Sequence, residues 1–155
     1  MNALDVLTYG HQTMLRTIEG LAEADWRLPG VTGRWSAKDV LAHLASFEHM
    51  LVDVLNTFLE GGATPYLTAW QGEGFNDREV PKRQDMTVSQ VLAEYTDTQA
   101  EVMALARRIP AEVYRQAGRL TWYGAEYDLD DFIVYTFYGH KREHSAQIAA
   151  FRDRP

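Results

Sequence analysis

Apolar residues recur at spacings of three and four along four stretches of the chain, with polar residues between them, the period of a helix that buries one face. The first stretch covers about residues 2–24 and carries Leu4, Leu7, His11, Met14, Leu15, Ile18 and Leu21 on its buried side. A second helix is predicted from Ser36 to about Glu60. There Ser36 and Asp39 form a capping-box pair, Val40, Leu44, Phe47, Leu51, Leu55 and Phe58 make the stripe, and Gly61-Gly62 stops it. The third starts at Thr87, with Gln90 at the reciprocal capping position. It runs through Val88, Val91, Leu92, Tyr95, Val102, Leu105 and Ile109 to a stop at Pro110. The fourth begins near Asp128, carries Phe132, Ile133, Thr136, Phe137, His140, His144, Ile148 and Phe151, and ends at Arg152, whose charge suits the carbonyl end of a helix. No stretch reads as a strand. The expected fold is all-α, a four-helix bundle that occupies residues 1–155 as a single domain with long connecting loops.

Two of those connections stand out. The segment from Gly61 to Met86 is rich in Gly, Pro and aromatics, among them Tyr66, Trp70 and Phe75. A loop of that length suits a binding segment that roofs a pocket, and equally a crossover that covers the end of the bundle. Between Pro110 and Tyr127, Trp122 and Tyr123 either pack on the bundle or line a pocket mouth.

Three of the predicted stripes place histidine where an apolar residue would otherwise stand. His140 and His144 are four residues apart, so their rings project from one face one turn apart. His43 lies on the second stripe between Val40 and Phe47. Three imidazoles aimed inward from two helices can hold one divalent ion with further coordination positions open. The competing reading is three core histidines satisfied by tyrosines or carbonyls, although each is costly to bury unless bonded or liganded. His11, between Leu7 and Leu15, reads as a partner to the ligands or as plain core, and His49, one turn from Asp53, as part of a solvated face. Glu48 is expected on the flank of its helix, and Glu143 either as a catalytic base beside the pair or as an exposed charge. His140 to His144 also satisfies the H-x-x-E-H pattern of inverzincin peptidases. That zinc needs a further glutamate well downstream, and only 11 residues follow His144 in the 155-residue chain.

Composition narrows the function. At 46% hydrophobic, 155 residues are enough for one core. With no cysteine, thiolate nucleophiles and cysteine-ligated metals are excluded. A net charge of −7 argues against nucleic acid as a partner. The start lacks a basic, then apolar, leader and no uncharged run is long enough to span a bilayer, so a soluble cytoplasmic protein without a membrane partner is expected.

Gly33-Arg-Trp35-Ser36-Ala-Lys-Asp-Val-Leu-Ala-His43-Leu, followed by Phe47-Glu48 and later by Tyr138-Gly-His140-Lys-Arg-Glu-His144, resembles the DinB-like (YfiT-like) superfamily of metalloenzymes. The resemblance covers nearly the whole chain. It implies that His43, His140 and His144 hold a divalent ion, usually nickel or zinc in that family. Phe75-Asn76-Asp-Arg-Glu-Val and the Trp122 region are similar to the branch related to genotoxin self-resistance proteins. The family name refers to DNA-damage induction and implies no DNA binding.

Three neutral ligands leave the full charge of the ion to act on what binds next, which lowers the pKa of a water or thiol. With no cysteine in the chain, a thiol must come from outside, as the bacillithiol- or mycothiol-dependent chemistry of similar proteins implies. The leading expectation is a metal-dependent S-transferase or hydrolase that uses an external low-molecular-weight thiol or water on an electrophilic small molecule. Two alternatives stand beside it. One is a metal-free small-molecule binding or toxin-resistance protein, the other a dimeric scaffold, since helices of this kind also make interfaces. A homodimer is the expected assembly.

Overall fold

Capping side chains decide where each long helix begins. In the computed structural model, which describes residues 2–155, α1 (Ala3–Glu19) starts after Asn2, whose side chain accepts from the Asp5 N–H. It ends at Gly20, short of the predicted Ala24, and a 3-10 turn at Glu23–Asp25 follows. Helix α2 (Ala37–Asn56) opens on the predicted capping box, with Asp39 N donating to Ser36 Oγ at 3.1 Å and Ser36 N to Asp39 Oδ2 at 3.0 Å. It stops four residues before the expected Glu60.

The Gly61 to Met86 segment is not a loop. It folds into two short helices, α3 (Pro65–Gln71) and α4 (Phe75–Lys82). Pro65 stands in the first turn of α3, where no N–H is needed. Asp53 Oδ2 reaches across from α2 to accept from the Tyr66 and Leu67 N–H groups at 2.7 and 3.0 Å, satisfying two donors that the helix cannot. Gly74, with φ of 71°, supplies the left-handed turn that redirects the chain into α4.

Helix α5 (Val88–Arg108) begins at the predicted Thr87–Gln90 capping box and ends at Ile109, before Pro110. The last helical run starts on a further box between Asp128 and Asp131. It passes without a break through α6 (Leu129–Phe132), a π-helical stretch (Ile133–Tyr138) and α7 (Gly139–Arg152). The π stretch was not signalled by the three-and-four spacing, and it ends two residues before His140. All regular structure among the described residues is helical, apart from one isolated bridge between Thr32 and Trp35. None of these helices is long and apolar enough to cross a membrane.

Helix α2 packs chiefly on α5, while α1 packs on α7 and the π stretch. The buried apolar residues form two clusters. One gathers Leu7, Leu51, Val102 and Phe137, the other Met14, Val40, Leu41, Val91 and Ile148. Between the two sets, along each long helix, fall polar residues: His11 on α1, Glu48 on α2, Thr98 and Gln99 on α5, and Lys141, His144 and Ser145 on α7. Glu48 is therefore not on the flank of its helix. It is 0% exposed, and its carboxylate pairs with the ammonium of Lys141, itself 2% exposed. His49 is likewise off the expected solvated face, because it is half-buried, bonded to Glu94 at 2.9 Å and stacked on Tyr66 at 4.6 Å. Arg83 grips the same Glu94 with two bonds of 2.7 and 2.9 Å, which ties the end of α4 to α5.

Candidate metal centre

Helix α2 presents His43 and α7 presents His140 and His144, and the three rings meet at Nε2. His43 Nε2 lies 2.8 Å from His140 Nε2, and His144 Nε2 lies 2.9 Å from the same atom. These are the three side chains among the described residues whose ligand atoms are close enough to share a metal ion. Nitrogens each about 2.0–2.1 Å from one ion stand roughly 2.9 Å apart at a right angle and roughly 3.3 Å apart at the tetrahedral angle, which the two contacts to His140 match, and the ligand atoms of all three lie within 4.8 Å of one another.

The proton count points the same way. His43 Nδ1 faces the Asn76 Oδ1 acceptor at 2.9 Å, and His144 Nδ1 faces the Gln147 Oε1 acceptor at 2.8 Å. With those amide oxygens as the acceptors, each Nδ1 carries the hydrogen and each Nε2 turns a lone pair inward. A hydrogen on His140 Nε2 can serve one of its two neighbours, which leaves the other contact as lone pair against lone pair. A cation at that point resolves all three.

Apolar walls surround the cluster. The Trp35 ring centre is 4.9 Å from that of His43, and the Phe47 ring is 4.7 Å from both His43 and His140. Burial, together with the charges of the neighbouring groups, lowers the pKa of His43 to about 4 and that of His140 to about 3. Burial also lowers the pKa of His144. All three imidazoles are neutral at ordinary pH, as metal ligands must be.

The sign of the acid response follows. Between the ordinary value of 6.5 and about 4, the unfolded chain takes up protons that folded His43 refuses. The metal-free protein is therefore expected to hold its full stability above about pH 6.5 and to lose it as pH falls towards about 4. Urea denaturation at several pH values checks this, and the slope should flatten when the histidines are replaced.

The other candidate residues are placed as follows. His11 lies outside the cluster, its ring 5.2 Å from Tyr95, and burial followed by the Lys141 charge lowers its pKa to about 4. Glu143 is exposed on α7, and its charge acts on His144. Trp122 and Tyr123 pack against Phe132 at 5.2 and 5.0 Å, and Trp70 packs against Trp122 at 5.8 Å.

A cavity of about 350 Å³ is lined by Phe47, Trp70, Gly74, Phe75, Asn76 and Asp77, of which Phe47 and Asn76 touch His43. A larger hollow of about 800 Å³ lies where α1 begins and α5 ends, among Leu4, Ile109, Tyr114 and Arg115, and none of the three histidines lines either one. Asn76 and Gln147 are contacts that the helical pattern did not reveal. Gln147 is three residues from His144, a spacing that brings side chains together on a helix, whereas Asn76 is 33 positions from His43 and no periodicity links them.

A family model described as the DinB superfamily matches residues 7–148. Comparison with curated proteins and with solved structures gives no match.

Proposed function

The chain belongs to the DinB superfamily, and on that footing we propose that it is a divalent-metal-dependent enzyme, its long helices forming the four-helix bundle expected from the stripes. In this reading His43, His140 and His144 hold the ion, nickel or zinc by the family resemblance, both of them suited to imidazole donors. The observation that carries the reading is the convergence of three Nε2 atoms with too few hydrogens to bridge them. An ion bound by three uncharged ligands supplies Lewis acidity that lowers the pKa of an added water or thiol.

The protein's own residues do the rest. Trp35 and Phe47 exclude water from the ligand rings. The cavity between Phe47, Phe75 and Trp70 receives the body of a small electrophilic substrate. Glu143, at the exposed edge of α7, is the candidate to carry a proton to solvent. Because the chain has no cysteine, a thiol nucleophile is a cosubstrate of low molecular weight.

The test is turnover. Metal-loaded protein should accelerate consumption of an epoxide or activated aryl halide in the presence of a small thiol or in water alone, and His43→Ala should remove the acceleration. If neither nucleophile shows metal-dependent consumption across such electrophiles, the reading moves to a metal-free small-molecule binding protein.

A further inference from the structure

His43 is held by more than its own helix. Its Nδ1 meets Asn76, which comes from α4, the second short helix of the 61–86 segment. Trp35 and Phe47 flank the ring from two sides, which limits how it can rotate. They are carbon surfaces and leave open which nitrogen carries the hydrogen. Asn76 Oδ1 decides that, because an acceptor at Nδ1 places the hydrogen there and leaves Nε2 as the lone pair.

Helix α4 is fixed well enough for the task. Phe75, next to Asn76, is 6% exposed and stacks on Phe47 at 5.8 Å. Arg83 just beyond α4 donates to the Glu79 carbonyl at 2.8 Å and grips Glu94 of α5, itself bonded to His49 of α2. Gly74 gives the left-handed turn that α4 starts from. Asn76 is thus presented from a docked element, an arrangement that holds a ligand more closely than a free loop would.

We propose that Asn76 is a positioning residue for the metal centre: it locks His43 with Nε2 facing His140, and through it α4 becomes part of the ion's binding site. This rests on the reading that the three histidines hold a metal. Gln147 makes the corresponding bond to His144, but from the same helix one turn away. Asn76 makes the hydrogen bond that links the ligand set to the 61–86 segment, which also forms the cavity wall.

The test compares wild type with Asn76→Ala and Asn76→Asp in two measurements. Asn76 is exposed, so both variants should keep the wild-type thermal midpoint without metal. In metal-free protein, nitrogen-15 NMR of the histidine rings should show His43 protonated at Nδ1 in wild type and in Asn76→Asp, and a shift towards the Nε2 form in Asn76→Ala. By competition with a chromophoric chelator, Asn76→Ala should bind Zn²⁺ or Ni²⁺ about 10- to 100-fold more weakly, while Asn76→Asp, with a stronger acceptor, should bind at least as tightly as wild type.

A zinc affinity for Asn76→Ala within twofold of wild type overturns the proposal, as does a loss that Asn76→Asp fails to restore. Failure of the wild type to bind either ion would sink the metal reading itself. The ring tautomer then decides the role of Asn76 independently, and an unchanged tautomer in Asn76→Ala overturns it.

Discussion

Replacing Glu48 with alanine is expected to destabilise the protein by about 3–5 kcal/mol, because it strands the buried Lys141 ammonium. In a chain of this size that lowers the thermal midpoint by roughly 10 °C. Glu48 is 0% exposed and Lys141 is 2% exposed, and each is the other's charge partner. Burial alone would pull the Lys141 pKa down, but Glu48 and Tyr95 outweigh it and raise the value, so the lysine is charged in the folded protein. The Tyr95 ring lies under the ammonium, 5.4 Å from ring centre to Nζ. The double change Glu48→Leu with Lys141→Met should recover the loss and can exceed the parent in stability, because apolar packing replaces two desolvated charges. Urea denaturation of the three proteins is the check. A single-variant loss below about 1 kcal/mol would mean that solvent reaches Lys141, since that is the range of an exposed pair.

The second large effect concerns metal-linked stability. Adding nickel or zinc at about a hundred times its Kd should stabilise the wild type by about 2.7 kcal/mol, through mass action on the folded state alone. His43→Ala should lose that increment, because His43 is the one ligand contributed by α2, and without it the ion no longer links α2 to α7. The same variant should be no more acid-sensitive than wild type, since it lacks a group whose neutral form folding must enforce. Thermal scans with and without metal, at neutral pH, separate the two effects. An equal metal-induced shift in wild type and His43→Ala would place the ion elsewhere.

The helix starts at Ser36 and Thr87 were legible because a capping box is local, and each is completed within four residues, whereas the start near Asp128 followed from the apolar spacing and its box with Asp131 emerged only in the structure. The histidine cluster was legible for a related reason. Helical period puts His140 and His144 on one face, and the apolar neighbours of His43 turn it inward. Features held by long-range contacts were not. Helices α3 and α4 are short, and what holds them is long-range: Asp53 capping α3 from α2, and Arg83 reaching Glu94 on α5. Glu48 was misplaced because its burial depends on Lys141, 93 positions away along the chain, and a carboxylate without a visible partner reads as exposed. Asn76 was unreadable as a contact for His43 because the path between them runs through those same short helices. Local hydrogen bonds and periodic burial are written in neighbouring residues, whereas polar pairs that cross the core are written nowhere until the helices pack.

His43, His140 and His144 are proposed to bind one divalent ion. The most direct measurement is metal content per chain by elemental mass spectrometry, on untagged protein as purified and after reconstitution with nickel or zinc, beside the His140→Ala His144→Ala variant. Close to one ion per chain in the wild type and none in the variant is the predicted result. No bound metal in the reconstituted wild type, or equal occupancy in the variant, would contradict it.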